Sequence, residues 1–402
     1  MPSRMSSTWL VLILSLLLGT QPITTDLYLP ALPSMMEVFG APVSQAQLTL
    51  TSLLLAFGTS QLVWGPMSDR FGRRPILLWG LGAYTAASVG CALAASLPML
   101  LLWRVVQGAA MGAAVMCARA VVRDLFTPEN GARVLSKGLS GLGVIACLSA
   151  PLGGFLTDTL GWRYALGALV VFGAAAWLTV AFRFTETVTV RNPQALQPAT
   201  LFSTWLAIIR HPTFLTWSAL STASYAGLFT FLATSSFVFI KTLGVTRTQY
   251  GLLMFTMCVV YLTGTFMCRR LLPRHGLRRT AAIAGAISLT GGTLLGVLAW
   301  AGVYTVWAIM LPYCVFMLAH GVHQPLGQSG AVGPFPRAAG AASALNGFLM
   351  MLTAFVAGGW VGMRLDDTVF ALTNGVWFWS VCIALVCWVL VPRYGVPRQV
   401  QA

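Results

Sequence analysis

The sequence predicts an all-α integral membrane protein with twelve spans. Of its 402 residues, 57% are hydrophobic and only 8% are charged, and the mean hydropathy is +0.80. Soluble domains carry roughly 25% charged residues. Apolar stretches of the length that a helix needs to cross a bilayer recur along the chain. Lys and Arg fall in short clusters between them, which indicates a membrane protein and not a nucleic-acid-binding one, despite the net charge of +15.

Twelve apolar segments account for most of the chain. The first begins shortly after Arg4 and resembles a signal peptide, but no small-residue cleavage site precedes Pro22 and Asp26. We therefore expect it to be an uncleaved first span. The predicted spans cover residues 9–32, 46–67, 75–96, 99–121, 134–157, 162–182, 213–240, 249–271, 280–301, 305–327, 338–361 and 370–392.

The spans fall into two groups of six. We predict an N-terminal half over residues 1–182, a cytoplasmic linker over 183–212, a C-terminal half over 213–392 and a cytoplasmic tail over 393–402. The linker contains Pro193, Pro198 and a short amphipathic stretch suited to a bilayer surface. The basic loop after the second span (RFGRR) is echoed after the eighth (RHGLRR), which suggests that the halves are parallel repeats.

The distribution of basic residues predicts the orientation. If the N-terminus is cytoplasmic, nineteen of the 24 basic residues lie on the cytoplasmic side. Four lie on the outer side, namely Arg163, Lys241, Arg247 and Arg364, and Arg104 is left inside the membrane. This bias follows the positive-inside rule and places both termini in the cytoplasm. The nineteen are Arg4, Arg70, Arg73, Arg74, Arg119, Arg123, Arg133, Lys137, Arg183, Arg191, Arg210, Arg269, Arg270, Arg274, Arg278, Arg279, Arg337, Arg393 and Arg398.

The sequence offers no cofactor, metal site or catalytic constellation. The eight cysteines form no CxxC pair and fall mostly in apolar segments, where they are small hydrophobic residues. We therefore expect neither an enzyme nor a metalloprotein, and no nucleic-acid partner. The expected partners are the lipid bilayer and a small molecule, and the protein is expected to be a monomer.

Two charged residues lie well inside predicted spans, away from the span ends. Asp26 is the only one of nine acidic residues that is not in a loop or at a span end, and Arg104 is its basic counterpart. Each is costly at membrane depth and therefore needs an aqueous cavity or a partner. Counted from the predicted outer ends of their spans, both lie about 9 Å deep. We interpret Asp26 as a proton-binding residue coupled to Arg104; the alternative is a fixed ion pair that orders two helices.

Two histidines, His320 and His323, share one face of the tenth predicted span, three residues apart. They could titrate or line a cavity. A hydrogen-bonded pair at a helix contact is the interpretation that we favour.

The loop after the second span resembles a family signature. It contains Gly65, Asp69, Arg70, Gly72, Arg73 and Arg74 in the pattern G-x-x-x-D-R-x-G-R-R, which is similar to the major facilitator signature. Gly72 permits a sharp turn, and Asp69 can cap a helix and pair with basic residues. The resemblance implies a charge latch that gates the transporter; the alternative is an ordinary charged loop.

Two further motifs resemble the same superfamily. Arg104, Gln107 and Gly108 match its fourth-span R-x-x-Q-G motif, which implies a buried cavity arginine. The fifth span resembles the motif of antiporters, although Ala150 stands where that motif usually has Gly. Pro and Gly there bend the helix and allow close packing. The matching fifth-span residues are Gly143, Pro151, Gly153 and Gly154.

Residues 25–33 (TDLYLPALP) carry the most specific resemblance, to the end of the first span in Bcr/CflA-type drug-resistance exporters. Landmarks at Gln47, Arg123 and Trp162 agree over about residues 20–165. The resemblance implies the twelve-span major facilitator fold, and it implicates Asp26 and Arg104 in proton and drug handling.

The family also implies that spans one, four, seven and ten line the substrate cavity. Aromatic walls with few polar groups suit amphipathic ligands, and a single cavity acid disfavours dicationic ones. The candidate lining residues, any of which could instead pack helices or face lipid, are Tyr28, Gln107, Tyr225, Phe229, Tyr313, Phe316, His320 and Gln324.

These features favour a proton-coupled antiporter in a bacterial inner membrane that exports drugs or drug-like molecules by alternating access, with protons as the coupling ion. The alternatives are an exporter of an endogenous metabolite and a proton-coupled nutrient importer. The fifth-span motif argues against the importer.

Overall fold

The computed structural model describes residues 6–126, 128–188, 191, 193, 195–364 and 368–395, without the side chains of residues 7, 128–133, 136 and 337. Arg4, Asp366, Asp367 and Arg398 lie outside the described residues, as do the side chains of Glu129, Arg133 and Arg337. All regular elements in the described part are helices. They are α1 Ser7–Asp26, α2 Leu32–Phe39, α3 Val43–Phe71, α4 Arg73–Ala92, α5 Leu97–Leu125, α6 Pro128–Thr159, α7 Trp162–Arg183, α8 Pro198–Ile209, α9 Pro212–Ser236, α10 Arg247–Trp300, α11 Val306–Val332, α12 Ala339–Arg364, α13 Phe370–Leu385 and α14 Val391–Tyr394.

Eleven of the described helical stretches are long and apolar enough to span a membrane. One of them, α10, is long enough for two spans. Helix α10 has 54 residues, roughly 80 Å at 1.5 Å per residue, which far exceeds a hydrocarbon core of about 30 Å. Its backbone breaks at Gly276, where φ is 69° and ψ is 175°. A positive φ favours glycine, so the break divides α10 into two spans. The predicted twelve-span all-α fold is confirmed.

The first span is longer than the sequence predicted. A short 3₁₀ turn, Leu29–Ala31, joins α1 to α2, and the apolar stretch runs over Thr8–Phe39. Pro30 and Pro33 occupy the first turns of the two short helices, where proline costs no hydrogen bond. Asp26 therefore lies thirteen residues before the end of the stretch, and not about six as the predicted span end at residue 32 implied.

The described chain divides into two compact units. The first contains the residues up to Leu201 together with Thr246–Met254, and the second contains Phe202–Val245 and the residues from Phe255 onward. In the first unit α5 packs against α3 and α4, α1 against α6, and α4 against α7. In the second unit α9 packs against α11, α12 and α13. Helices α5 and α9 are thus central to their units, which is why their polar side chains are buried.

Candidate functional site

Arg104 lies on α5 and is fully buried. Its guanidinium carbon is 3.6 Å from the centre of the Tyr28 ring. Nη1 donates to Gln107 Oε1 at 2.8 Å and to the Thr24 carbonyl at 3.5 Å. A desolvated cation over an aromatic ring gains about 2 kcal/mol, which offsets part of the cost of burying the charge. The buried arginine expected from the fourth-span motif is therefore held by a ring and a neutral amide.

Gln107 extends this polar network to a third helix. It donates from Nε2 to Ser88 Oγ on α4 at 2.7 Å. Nearby, the Tyr84 hydroxyl lies 2.7 Å from Thr24 Oγ1, which links α4 to α1. The Tyr28 hydroxyl in turn hydrogen-bonds Thr49 of α3. Four helices of the first unit are therefore tied together around Arg104.

Asp26 is the last residue of α1 and is partly buried. Its Oδ1 accepts a hydrogen bond of 2.8 Å from Thr25 Oγ1. No Lys, Arg or His nitrogen of the described residues lies within 4.0 Å of its carboxylate oxygens, since the ion pairs found there involve other acids. Asp26 is thus a carboxyl group in a membrane span without a counter-charge.

The structure does not pair Asp26 with Arg104, although Arg104 contacts the part of the first span that carries Asp26. Arg104 approaches Thr24 of α1 and Tyr28 just beyond it, which lie one turn apart and so share a face of the first span. Asp26 is two residues from each, or about 200° around the helix at 100° per residue. Its side chain therefore leaves the helix on the opposite side. A fixed ion pair between the two residues, the alternative that the sequence allowed, is not formed.

The loop between α3 and α4 is organised around Arg73, which is 3% exposed. Its guanidinium contacts Asp69 Oδ1 at 2.7 Å and Asp124 Oδ2 at 2.9 Å. It also donates to Ser68 Oγ at 2.5 Å. A buried, planar cation that bridges two carboxylates joins the ends of three helices, α3, α4 and α5. Of the signature residues, Asp69 and Arg73 thus form the central contact, while Arg70 is exposed.

The cap of α4 comes from a residue that the sequence analysis left in a loop. Glu186 accepts hydrogen bonds from the backbone N–H groups of Arg73 at 2.9 Å and Arg74 at 3.1 Å. Asp69, for which the sequence suggested both capping and pairing with basic residues, pairs with Arg73. Gly72 has a φ of 102°, and a Cβ there would lie 2.5 Å from Glu186 Oε2. Glycine is therefore required both by the turn and by the approach of the capping carboxylate.

The loop that echoes this one in the second unit shares its turn but not its charges. Gly276 adopts a positive φ as Gly72 does. Arg274, Arg278 and Arg279 around it are exposed. No described residue of the second unit is acidic, so these arginines have no carboxylate partner among the described residues of that unit. The similarity therefore lies in the backbone.

Two glycines of the fifth-span motif lie where backbones touch. A Cβ on Gly153 would overlap the carbonyl oxygen of Leu27, and one on Gly154 would overlap the carbonyl oxygen of Arg247. Gly251 faces back, because its Cβ would lie 2.6 Å from the Ala150 carbonyl oxygen. Pro151 lies inside α6 at the same crossing. The motif thus brings α1 and the start of α10 into backbone contact with α6.

Gly153→Ala is expected to destabilise the protein, since the new methyl group meets a backbone oxygen that cannot move aside. Overpacking of this kind costs about 1–3 kcal/mol, which a lower temperature of thermal unfolding in detergent would reveal.

Gly167→Ala provides the matched control. Gly167 lies on the neighbouring helix α7, and no atom lies within 4 Å of the methyl group that the substitution adds. Alanine also has a higher helix propensity than glycine. Equal unfolding temperatures for the two variants would contradict the proposed backbone contact.

The remaining candidate cavity residues are all buried on α9 and α11 of the second unit. Tyr313 stacks on Phe231, with ring centres 3.6 Å apart, and on Phe316 at 5.6 Å. Phe316 in turn fills the space above Gly227. The aromatic residues therefore form a packed cluster between the two helices. The buried candidates there are Tyr225, Phe229, Tyr313, Phe316, His320 and Gln324.

The two histidines are hydrogen-bonded to a shared partner, as the favoured interpretation expected of a helix contact. Ser224 Oγ of α9 lies 2.8 Å from His320 Nδ1 and 3.4 Å from His323 Nδ1. Gln324 Nε2 donates to the Ser221 carbonyl at 3.0 Å. Ser224 was missed from the sequence, but its spacing of three from Ser221 on one helix face is a signal that could have found it.

Comparison with known proteins gives the same family throughout. The family model described as Major Facilitator Superfamily matches residues 14–358. The chain is 29% identical to "Multidrug resistance protein D" of Escherichia coli over 348 residues, covering 86% of each chain. It is 29% identical to "Chloramphenicol resistance protein" of Pseudomonas aeruginosa, over 80% of this chain and 75% of that one. It is 28% identical to "Bicyclomycin resistance protein homolog" of Haemophilus influenzae, over 91% of this chain and 92% of that one.

Solved structures agree on the fold. A D-xylose–proton symporter superposes with a TM-score of 0.75 at 18% identity, over 96% of this chain and 98% of that one. The human organic anion transporter MFSD10 superposes with a TM-score of 0.67 at 20% identity, over 97% of this chain and 100% of that one. At such identities the likeness concerns the fold alone. The matched model spans most of the sequence, and the named relatives agree with the Bcr/CflA-type resemblance, so the chain belongs to the major facilitator superfamily.

Proposed function

We propose that this transporter is a proton-coupled antiporter that exports drug-like small molecules from the cytoplasm. The observation that carries the proposal is Asp26, a carboxyl group inside a span without a described cation within 4.0 Å. The other acidic residues whose side chains are described lie in the last turn of an apolar helical stretch or in a loop. A carboxyl group at membrane depth that pairs with nothing is suited to bind and release a proton.

Two observations support the proposal of drug-like substrates: the names of the relatives and the aromatic residues of the second unit. Multidrug, chloramphenicol and bicyclomycin resistance are named for proteins that align over most of this chain. The aromatic cluster around Tyr313 is apolar and has few polar groups, a composition that suits amphipathic molecules. An exporter of an endogenous metabolite would use the same features, and a nutrient importer is the weaker alternative.

Arg104 has a supporting part in this proposal. It holds Thr24 and Tyr28, the two residues that flank Asp26 by two positions. A change in the network around Arg104 would therefore shift the backbone that carries the proton-binding carboxyl. Protons are the only coupling species required, and no cofactor is invoked. The protein acts as a monomer in a bacterial inner membrane, with both termini in the cytoplasm.

Everted membrane vesicles test the direction and the coupling. Respiration acidifies their lumen, and addition of an exported drug is expected to collapse part of the pH gradient as protons leave in exchange. Vesicles without the transporter provide the baseline. A transporter that leaves the gradient unchanged across a broad drug panel, but accumulates a nutrient in whole cells, would favour the importer.

Asp69→Asn is expected to slow export roughly fivefold, the kinetic equivalent of about 1 kcal/mol. The substitution weakens the contact with Arg73, which keeps Asp124. The Kd for substrate is expected to stay within about twofold, because Asp69 lies at the end of α3 away from the buried network. Equal losses in binding and export rate would contradict a gating role.

A further inference from the structure

The two buried histidines of α11 are joined by one hydroxyl group. Ser224 and His323 are fully buried and His320 is 3% exposed. Ser224 Oγ reaches the Nδ1 atoms of both imidazoles. A serine hydroxyl has one proton, so it donates to one ring and accepts from the other. When one ring carries its proton on Nδ1, the other carries it on Nε2. The outer nitrogens of the pair are then one acceptor and one donor.

One of those outer nitrogens lacks a partner. His323 Nε2 is buried and makes no hydrogen bond to any described residue. An unsatisfied buried donor or acceptor costs about 1–3 kcal/mol. A leucine would fill similar space without that cost, so packing alone does not account for histidine at this position. A hydrogen-bonding group on a ligand would remove the penalty.

The helices around the two histidines place no described acidic residue beside them. Its neighbours are α9, which has no charged residue, α12, whose charge is Arg364 at its last turn, and the Tyr261 ring of α10, centred 5.6 Å from that of His320. No described residue of the second unit is acidic. Recognition here therefore depends on neutral hydrogen bonds, which disfavours cationic ligands.

A row of polar side chains leads from this pair to the end of α11. His320, Gln324 and Gln328 repeat at intervals of four residues and so share one helix face. Gln328, which is exposed, donates to Gln324 Oε1 at 3.0 Å. The row spans roughly 12 Å at 1.5 Å per residue. Pro325 interrupts the backbone hydrogen bonds beside it, which permits α11 to bend there.

We propose that His323 is the hydrogen-bonding anchor for a neutral substrate that carries a hydroxyl or amide group, with Ser224 and His320 setting its tautomer. The inference rests on the proposed export of small molecules and specifies the chemical class that this half of the transporter selects. His323 Nε2, a donor or an acceptor according to that tautomer, hydrogen-bonds a polar group of the substrate. The aromatic cluster, whose Phe316 lies seven residues or about two turns before His323 on α11, takes the apolar part.

Equilibrium binding to the purified full-length protein, with no proton gradient, tests the anchor. Chloramphenicol serves as the neutral probe with hydroxyl and amide groups, and tetraphenylphosphonium as a cationic probe without hydrogen-bonding groups. His323→Leu is expected to raise the Kd for chloramphenicol about fivefold to tenfold, as for one lost hydrogen bond. His323→Gln, whose amide nitrogen reaches near the position of Nε2, is expected to stay within about twofold of the wild type.

Folding and surface effects have their own controls. The thermal unfolding temperature of His323→Leu is expected to equal or exceed that of the wild type, because an unsatisfied polar atom is removed. His275→Leu, at the exposed break in α10, is expected to leave binding unchanged. Binding of tetraphenylphosphonium is expected to be the same in all variants.

Three results would overturn the anchor: unchanged chloramphenicol affinity in His323→Leu, equal losses in the Leu and Gln variants, or no specific binding of chloramphenicol to the wild type. Because binding is measured without a gradient, a failure of proton coupling in vesicles leaves this result untouched. Conversely, export that persists with unchanged affinity in His323→Leu removes the anchor and leaves the export function standing.

Discussion

Replacing Asp26 by Asn is expected to abolish drug accumulation driven by a proton gradient while leaving downhill exchange of the drug in place. Asn has nearly the same shape and can still accept the hydrogen bond from Thr25 Oγ1. It cannot take up a proton at neutral pH. The other acidic residues whose side chains are described lie at the ends of apolar stretches or in loops, so none of them lies well within a stretch, as Asp26 does, to replace it. Uphill export is expected to fall at least about tenfold, as for loss of the proton carrier itself.

Glu37→Gln is the matched control for this experiment. Glu37 belongs to the same apolar stretch, loses the same charge on substitution, and is exposed near the end of α2. Its substitution is expected to leave uphill export unchanged. Drug accumulation in everted vesicles, measured with and without an ionophore that collapses the pH gradient, separates coupled from downhill transport. Uphill export by Asp26→Asn at the wild-type rate would exclude Asp26 as the proton carrier.

The fold could be predicted from the sequence because the bilayer imposes one requirement on every span. Backbone groups in hydrocarbon must bond within their own helix, so each long apolar run becomes a helix. The break at Gly276 followed from its likeness to the loop at Gly72. The end of the first span did not, because Pro30 and Pro33 suggest a stop, yet they fall where proline fits the first turn of a new helix.

The partners of the charged residues were harder to predict. Depth alone suggested that Asp26 and Arg104 meet, but the side of the first span from which Asp26 projects decides the matter. Residues 24 and 28 face Arg104, and residue 26 faces away. Glu186 caps a helix more than a hundred residues earlier in the chain. No local pattern encodes such a contact, because it depends on how α4 and α7 pack together.

Arg73→Met is expected to cause the largest loss of stability among substitutions in the α3–α4 loop. Met keeps the length of the side chain but leaves the Asp124 carboxylate without its cation. Only 4% of the Arg73 side chain and 16% of the Asp124 side chain are exposed, so water compensates little. Breaking a buried ion pair by removing one partner costs about 3–5 kcal/mol. Thermal unfolding in detergent or lipid nanodiscs is expected to show a correspondingly lower transition temperature.

Arg70→Met tests whether the effect belongs to the contact or to the loss of charge from the loop. Arg70 is three residues away, exposed, and near the ring of Phe71, so its substitution is expected to cost less than about 0.5 kcal/mol. The double variant Arg73→Met with Asp124→Asn sharpens the test. With Asn at position 124, removal of Arg73 no longer leaves an unpaired carboxylate there. The double variant is therefore expected to lose less stability than the sum of the losses in the two single variants. Strict additivity would mean that the two side chains, although 2.9 Å apart, do not stabilise each other.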